Sequence, residues 1–210
     1  EDQTLWADNL LATLGPAPDS ETTLPKSDRI EVRDVHADGN VQVRLADGTR
    51  TWAEKLQGDA RQESVELLGA DVVVARGELI IEHGTSLRIE RKAGVGEWAG
   101  SGRALMTSSP PDLAIHARIP RPATPDQLGA EDSEITWVDS VHLEFDPEAE
   151  SQDAAMQSVR FAGKVAVNSP DGTIEAETIS MSFTPDASGR SAPNRLECRQ
   201  RVRAHSDGQT

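Results

Sequence analysis

Apolar residues recur at every second position along much of this chain. From Val35 the odd positions read Val35, Ala37, Gly39, Val41, Val43 and Leu45, and the residues between them are His36, Asp38, Asn40, Gln42 and Arg44. Successive side chains of a strand point to opposite faces, so this is a strand with one apolar and one wet face. Ile135, Trp137, Val141, Leu143 and Phe145 alternate in the same way, interrupted at Asp139, as do Val159, Phe161, Gly163, Val165 and Val167. Shorter runs are Ile30/Val32, Leu79/Ile81, Leu87/Ile89 and Ile179/Met181/Phe183. Between Val32 and Val35 the phase slips by one residue, which predicts a bulge or a new strand. Leu5 to Leu14 could be spaced as a short amphipathic helix, but the repeat described below assigns it to strand.

Turn signals punctuate the runs at Asp38-Gly39, Asp47-Gly48, His83-Gly84, Asp171-Gly172 and Asp207-Gly208. Short strands at such intervals predict an all-β sandwich, barrel or related sheet. Proline lacks the N–H that a ladder needs, so the proline-bearing stretches 15–28, 107–134, 146–157 and 184–195 read as loops. Residues 1–210 read as one domain, in which 107–134 is a Pro-rich insertion or a linker between two lobes. The chain begins at Glu1 and stops inside a turn signal, which gives the expectation of a piece of a longer chain.

Composition narrows the chemistry. No run approaches the roughly 18 apolar residues of a membrane-spanning helix. A net charge of −15 argues against a general attraction to nucleic acid or anionic membranes. The single cysteine, Cys198, excludes an internal disulfide and any multi-cysteine zinc site; it reads as a half-buried strand residue rather than a nucleophile. None of His36, His83, His116, His142 and His205 has the i, i+2 or i+4 partner of a metal motif. Gly100-Ser101-Gly102 is too short for a nucleophile elbow, and neither a phosphate loop nor a dinucleotide fingerprint is present. No catalytic residue, cofactor or metal is expected.

The chain also resembles itself. Trp6-Ala7-Asp8-Asn9-Leu10 recurs as Trp52-Ala53-Glu54-Lys55-Leu56 and, more loosely, as Glu175-Ala176-Glu177-Thr178-Ile179. Upstream of the last two, Val35–Val43 lies over Val159–Val167, and Asp47-Gly48 over Asp171-Gly172. A partial copy starts at Leu196, with Cys198, Val202 and Ala204 on one face. Such hairpins cannot bury their apolar faces alone and must stack on one another.

The unit carried by Val35, Ala37, Gly39, Asn40, Val41, Val43, Ala53 and Leu56, and again by Gly163, Val165, Val167, Ala176 and Ile179, resembles the OstA-like repeat. That repeat belongs to periplasmic lipopolysaccharide-transport proteins of the LptA type and to the N-terminal domain of the LptD type. Leu67-Leu68-Gly69 resembles the leucine-x-glycine strand that follows it. The resemblance covers residues 1–106 and 135–205. It implies antiparallel hairpin repeats folded into a V-shaped or flattened β-jellyroll in the periplasm. It also implies a groove that shields lipid or lipopolysaccharide acyl chains without catalysis, and edge-strand addition of related β-domains. The groove candidates are Val41, Val43, Leu56, Val165, Val167, Ile179, Met181 and Phe183. Arg88, Arg91 and Lys92, or Arg199, Arg201 and Arg203, are candidate basic clusters for a lipid head group. One alternative is a structural β-repeat module without lipid binding. Another is a carbohydrate-binding jellyroll, which would need exposed tryptophans.

Overall fold

The computed structural model describes residues 3–16, 30–46, 48–107, 132–149, 156–185 and 191–206. These form strands β1 (Thr4–Trp6), β2 (Asn9–Pro16), β3 (Ile30–Arg44), β4 (Arg50–Asp59), β5 (Ser64–Arg76), β6 (Leu79–Glu90) and β7 (Val95–Ala99). They continue as β8 (Gly102–Met106), β9 (Ser133–Trp137), β10 (Ser140–Phe145), β11 (Met156–Ser169), β12 (Gly172–Pro185), β13 (Ser191–Arg199) and β14 (Arg203–His205). Every pairing is antiparallel, and no described residue is helical. The fold is therefore all-β, and the Leu5–Leu14 segment is strand, as the repeat indicated.

A line of irregularities crosses the sheet at mid-strand and divides it into two leaves. On β3, Asp38 faces Lys55 and Val41 faces Ala53, so Gly39 and Asn40 together oppose Glu54. On β11, Ala162 faces Thr178 and Val165 faces Ala176, so Gly163 and Lys164 together oppose Glu177. Two residues against one is a bulge, which bends a strand and strengthens its twist. Gly39 (φ 77°) and Gly163 (φ 82°) hold the left-handed conformation that a bulge of this kind demands, as do Asn40 (φ 48°) and Lys164 (φ 50°) beside them. The repeat seen in the sequence is this bulge with its opposing acid, used twice. Register shifts continue the line through β5 and β6, where His83 has φ 70°. The shorter strands simply stop there: β1 gives way to β2, β7 to β8, β9 to β10, and β13 to β14 through Gln200 and Arg201, both at positive φ.

The first leaf runs β1-β3-β4-β5-β6-β8-β9-β11-β12-β14 and the second β2-β3-β4-β5-β6-β7-β10-β11-β12-β13. The six strands common to both lists pass through the crease. Acids satisfy backbone groups that the broken ladder leaves over. Glu54 accepts the Ala70 N–H at 3.2 Å and Asp71 that of His83 at 3.0 Å. Asp8 accepts from the Asn40 amide at 2.8 Å, while the Asp8 N–H donates to the Gly39 carbonyl, also at 2.8 Å. Glu177 accepts from Arg201 at 3.0 Å.

Two sequence expectations change in kind. Asp38-Gly39 and His83-Gly84 lie inside β3 and β6 rather than in hairpin turns, because positive φ serves a bulge as well as a turn. Pro193 is in register with Phe183 inside β13, where an edge strand tolerates its missing N–H. The phase slip before Val35 is a bulge at Arg33: Thr13 faces Asp34 and Leu14 faces Val32. Much of the loops read at 15–28, 107–134, 146–157 and 184–195 lies outside the described residues, as do His116, Asp47 and the final Asp207-Gly208. On either side of the long Pro-rich stretch, β8 and β9 pair with each other.

The two inner faces share one hydrophobic core, to which both leaves contribute: Val41, Ala53, Ile135, Trp137, Val165 and Ala176 from the first, Leu56, Leu67, Leu87, Val159, Phe161 and Ile179 from the second. Burial of each such aliphatic side chain contributes about 1.5–3 kcal/mol. The outer face of the second leaf is wet, and a cross-strand row of Glu66, Arg88, Glu97, His142 and Arg160 runs along it, alternating in sign over its first three members. On the outer face of the first leaf, Trp52, Val73 and Ala75 are buried in a second cluster with Ile80. Beside it Arg103 donates from Nε to Glu82 at 2.8 Å and approaches Glu134 at 3.4 Å, all three side chains being buried. These groups tie β6, β8 and β9 together.

Two stability predictions follow from the crease and the ion triad. Gly163→Ala places a methyl group against the Asp139 side chain as well as at positive φ, whereas Gly77→Ala (φ 54°) meets open space. Urea denaturation should show about 1–2 kcal/mol lost at Gly77, the left-handed penalty alone, and a larger loss at Gly163. Arg103→Met strands two buried carboxylates and should cost about 3–5 kcal/mol in the same assay.

Candidate functional site

The two leaves bend at the crease so that their apolar inner faces meet in a V-shaped inner wall, the trough, and the alternation decides which residues line it. All eight groove candidates fall within the one inner cluster: Val41, Leu56, Val165 and Ile179 as buried members, Val43, Val167, Met181 and Phe183 packed against them and half-buried. The difference follows depth. Ile179 (0% exposed) and Val41 and Val165 (each 1%) lie next to the crease, where the leaves meet. The half-buried four lie further up the leaves, together with Val35, Val65, Ile81, Ile89, Leu143 and Ile174.

At its two ends the trough is uncovered. Leu10 faces the core residue Ala37, and Leu14 faces Val32, so β2 continues the inner wall to the edge of the second leaf. Leu10 and Leu14 are each 59% exposed and Val32 46%. At the other edge Leu196, paired with Met181 on the inner side, is 47% exposed. Exposed apolar side chains that extend a buried wall differ from scattered surface leucines, because they form one contiguous surface with it. The sequence reading missed these mouth residues as lining, since their exposure depends on which strands end up at the edges.

Midway along, rings bridge the leaves. Trp98 on β7 and Trp137 on β9 meet edge to face with centroids 6.3 Å apart, and Trp137 meets Phe161 on β11 at 5.3 Å. Glycines make room for both indoles: a Cβ at Gly84 would collide with Trp98, and one at Gly102 with Trp137. The Trp137 Nε1–H donates to the Gly100 carbonyl at 3.1 Å, while Trp98 Nε1 is buried with no acceptor among the described residues.

Charged groups stand outside the trough. Cys198 packs against the inner cluster opposite Ile179, and burial raises its thiol above its ordinary pKa, so it is a neutral thiol at pH 7. His83 sits 3.3 Å from Asp71 and His142 3.8 Å from Glu97, and among the described residues no group of three or more His, Cys, Asp or Glu is placed to hold a metal. Five of the six basic candidates are matched by neighbouring acids: Arg88 with Glu90 at 2.7 Å, Lys92 with Glu63 at 3.6 Å, Arg199 with Glu197 at 2.8 Å, Arg201 with Glu177 at 3.0 Å and Arg203 with Glu175 at 4.0 Å. Trp52, Trp98 and Trp137 are buried and Trp6 is half-buried, so the tryptophans offer no exposed planar pair for stacking on a sugar.

The geometry defines an all-β protein in which two antiparallel leaves, hinged on a row of bulges, bring their apolar inner faces together on one core. No protein-family model matches the chain, and no curated protein sequence matches it. Among solved structures the chain is similar to LptH, the LptA-homologous periplasmic component of the conserved lipopolysaccharide transport device from Pseudomonas aeruginosa. The TM-score is 0.44 and the identity 15%, over 75% of this chain and 93% of the LptH chain.

Substituting each indole separates its hydrogen bond from its bulk. Trp137→Phe leaves the Gly100 carbonyl without its partner, whereas Trp98→Phe deletes a donor that had none. Thermal or urea unfolding should show Trp137→Phe to be more costly by about 0.5–1.5 kcal/mol, the net worth of one hydrogen bond.

Proposed function

We propose that the protein binds and shields the acyl chains of a lipopolysaccharide-like lipid in this trough, as one segment of a periplasmic lipid-transport bridge, with no catalytic step. The observation that carries the reading is the continuity of the inner wall, from its buried part beside the crease to the exposed Leu10, Leu14 and Val32 at one mouth and Leu196 at the other. Each methylene removed from water contributes about 0.8 kcal/mol, so roughly ten of them match the −8 kcal/mol of micromolar binding before ordering costs. Val43, Val167, Met181 and Phe183, which keep solvent-facing surface, touch the chain, and Val41, Leu56, Val165 and Ile179 back them. The net charge of −15 repels phosphates within about 8–10 Å, so the head group stays outside the trough. Related β-domains add to the sheet edges at β1/β2 and β13/β14, where backbone groups face outward. The whole chain acts as one such domain, with 107–134 inserted between β8 and β9.

A structural module without lipid has one observation in its favour: Val41, Val165 and Ile179 are already fully packed beside the crease. Titration with a fluorescent acyl probe, displaced by lipopolysaccharide, separates the two readings. Val167→Asp and Met181→Asp put charges on the half-buried wall and should weaken binding at least tenfold while the circular dichroism stays that of a β-protein. Binding that is absent from the unmutated protein, or unchanged by both substitutions, favours the structural module.

A further inference from the structure

We infer that the outer face of the first leaf is a docking surface for the chain's own Pro-rich stretch 108–131, so that this leaf is covered on both sides. The inference is independent of the lipid-binding reading. Three observations carry it. The first is burial. Trp52 faces Val73, Ala75 faces Ile80, Ile80 faces Leu105 and Glu82 faces Arg103, so these residues tile the outer face between β4 and β8. Val73 and Leu105 are each 2% exposed and Trp52 4%. The Glu82 side chain is 4% exposed, whereas that of Glu97, on the outer face of the second leaf, is 71% exposed. No described strand lies over the first leaf's outer face: all belong to one sheet, whose leaves turn their inner faces to each other. Cross-strand neighbours flank an outer side chain without capping its tip. The burial is that of a single chain, so its own residues supply the cover.

The second observation is connection. The stretch leaves the first leaf after β8 and returns to it at β9. The stretches 17–29, 150–155 and 186–190 instead join strand ends of the second leaf, and what remains at Asp47 and the two termini is only a few residues. At about 4.8 Å per strand the face runs roughly 19 Å from β9 to β4. Residues 108–131, at about 3.3 Å each, supply on the order of 80 Å of chain, enough to cross the face and return. The third is pattern. Leu113, Ile115, Ala117 and Ile119 share one parity, and His116 and Arg118 have the other. In an extended segment this alternation gives one apolar side, which fits Trp52, Val73 and Leu105. The prolines around it keep the segment extended while denying it a ladder, so it packs by side chains rather than as a further strand. From Leu113 to Pro122 there is no acid, and Arg121 has the parity of Ile119. That charge complements the buried Glu82–Arg103–Glu134 group, which has two carboxylates to one guanidinium. A leaf covered in this way offers other domains its edges alone.

Cysteine labelling of the full chain tests this, with Cys198→Ser removing the native thiol. A maleimide should modify Ile115→Cys and Ile119→Cys at least tenfold more slowly than His116→Cys. Equal rates at the three positions overturn the inference. Adding Ile115→Asp and Ile119→Asp to Ala75→Cys should speed labelling at Ala75 at least tenfold, and the same pair should leave Glu97→Cys within twofold. An unchanged rate at Ala75 overturns it. As a measurement that leaves the apolar parity intact, a nitroxide on His116→Cys should broaden the amide resonances of Val73 and Ala75 and leave that of Glu97 sharp. Val73 and Ala75 resonances as sharp as that of Glu97 overturn the inference. So does broadening that needs the nitroxide and the isotope label on different molecules, which assigns the face to a second copy.

Discussion

The row of bulges at mid-strand is the constraint on which the rest of the structure depends. A flat antiparallel sheet of this width would expose one apolar face to water along its whole length. Gly39-Asn40 on β3 and Gly163-Lys164 on β11 each insert one residue too many, and the strands bend there. Because the bends are aligned from strand to strand, the sheet folds along one line and its apolar face closes on itself. The residues opposite the bulges are acids, Glu54 and Glu177, and acids recur along the crease at Asp8 and Asp71. A bulge leaves amide groups without ladder partners, and Glu54 and Asp71 supply acceptors for two of them, whereas Asp8 and Glu177 hold the side chains of Asn40 and Arg201 across the same line.

That geometry explains how a chain that is only 36% hydrophobic builds a core at all. Each residue of the inner parity meets its counterparts on the facing leaf near the crease, where Val41, Val165 and Ile179 lose all contact with water. Further up the leaves the burial falls off, and Val43, Val167 and Met181 are only half covered. Stability and a ligand-accessible surface thus come from the same set of alternating residues, graded by distance from the bend. The charges are kept to the outer faces, where opposite signs alternate across Glu66, Arg88 and Glu97.

Much of this was legible in the sequence, for physical reasons that can be named. Period-two alternation assigned the inner parity, so all eight candidate residues belong to the inner cluster. The Trp-Ala-acid-x-aliphatic repeat located the crease, although it read as a strand motif rather than as a bend, since Asp-Gly and His-Gly pairs serve turns and bulges alike. Other features were not legible because they depend on which strands become neighbours. The pairing of Gly84 with Trp98 and of Gly102 with Trp137 joins residues on different strands. The exposure of Leu10, Leu14 and Leu196 requires knowing that β2 and β13 are edges. The second cluster of Trp52, Val73 and Ala75 breaks the rule of one apolar face per strand, and Glu82, Arg103 and Glu134 look like ordinary wet-face residues until β6, β8 and β9 are brought together.

These last two features make the leaves mechanically unequal. The first leaf is packed on both sides: its inner face joins the core, and its outer face carries the tryptophan cluster and the buried Glu82–Arg103–Glu134 triad. The second leaf has no second cluster among its described residues, and its outer face is a ladder of exposed charges in water, each pair worth only about 0.2–1 kcal/mol. Displacing the first leaf breaks a buried, partly ionic network, whereas displacing the second disturbs screened pairs and the half-buried residues of the upper wall. Any widening of the trough therefore costs least when the second leaf moves about the crease. That leaf carries Leu10, Leu14 and Leu196, so the more easily displaced wall is also the one whose apolar residues reach the solvent at both ends.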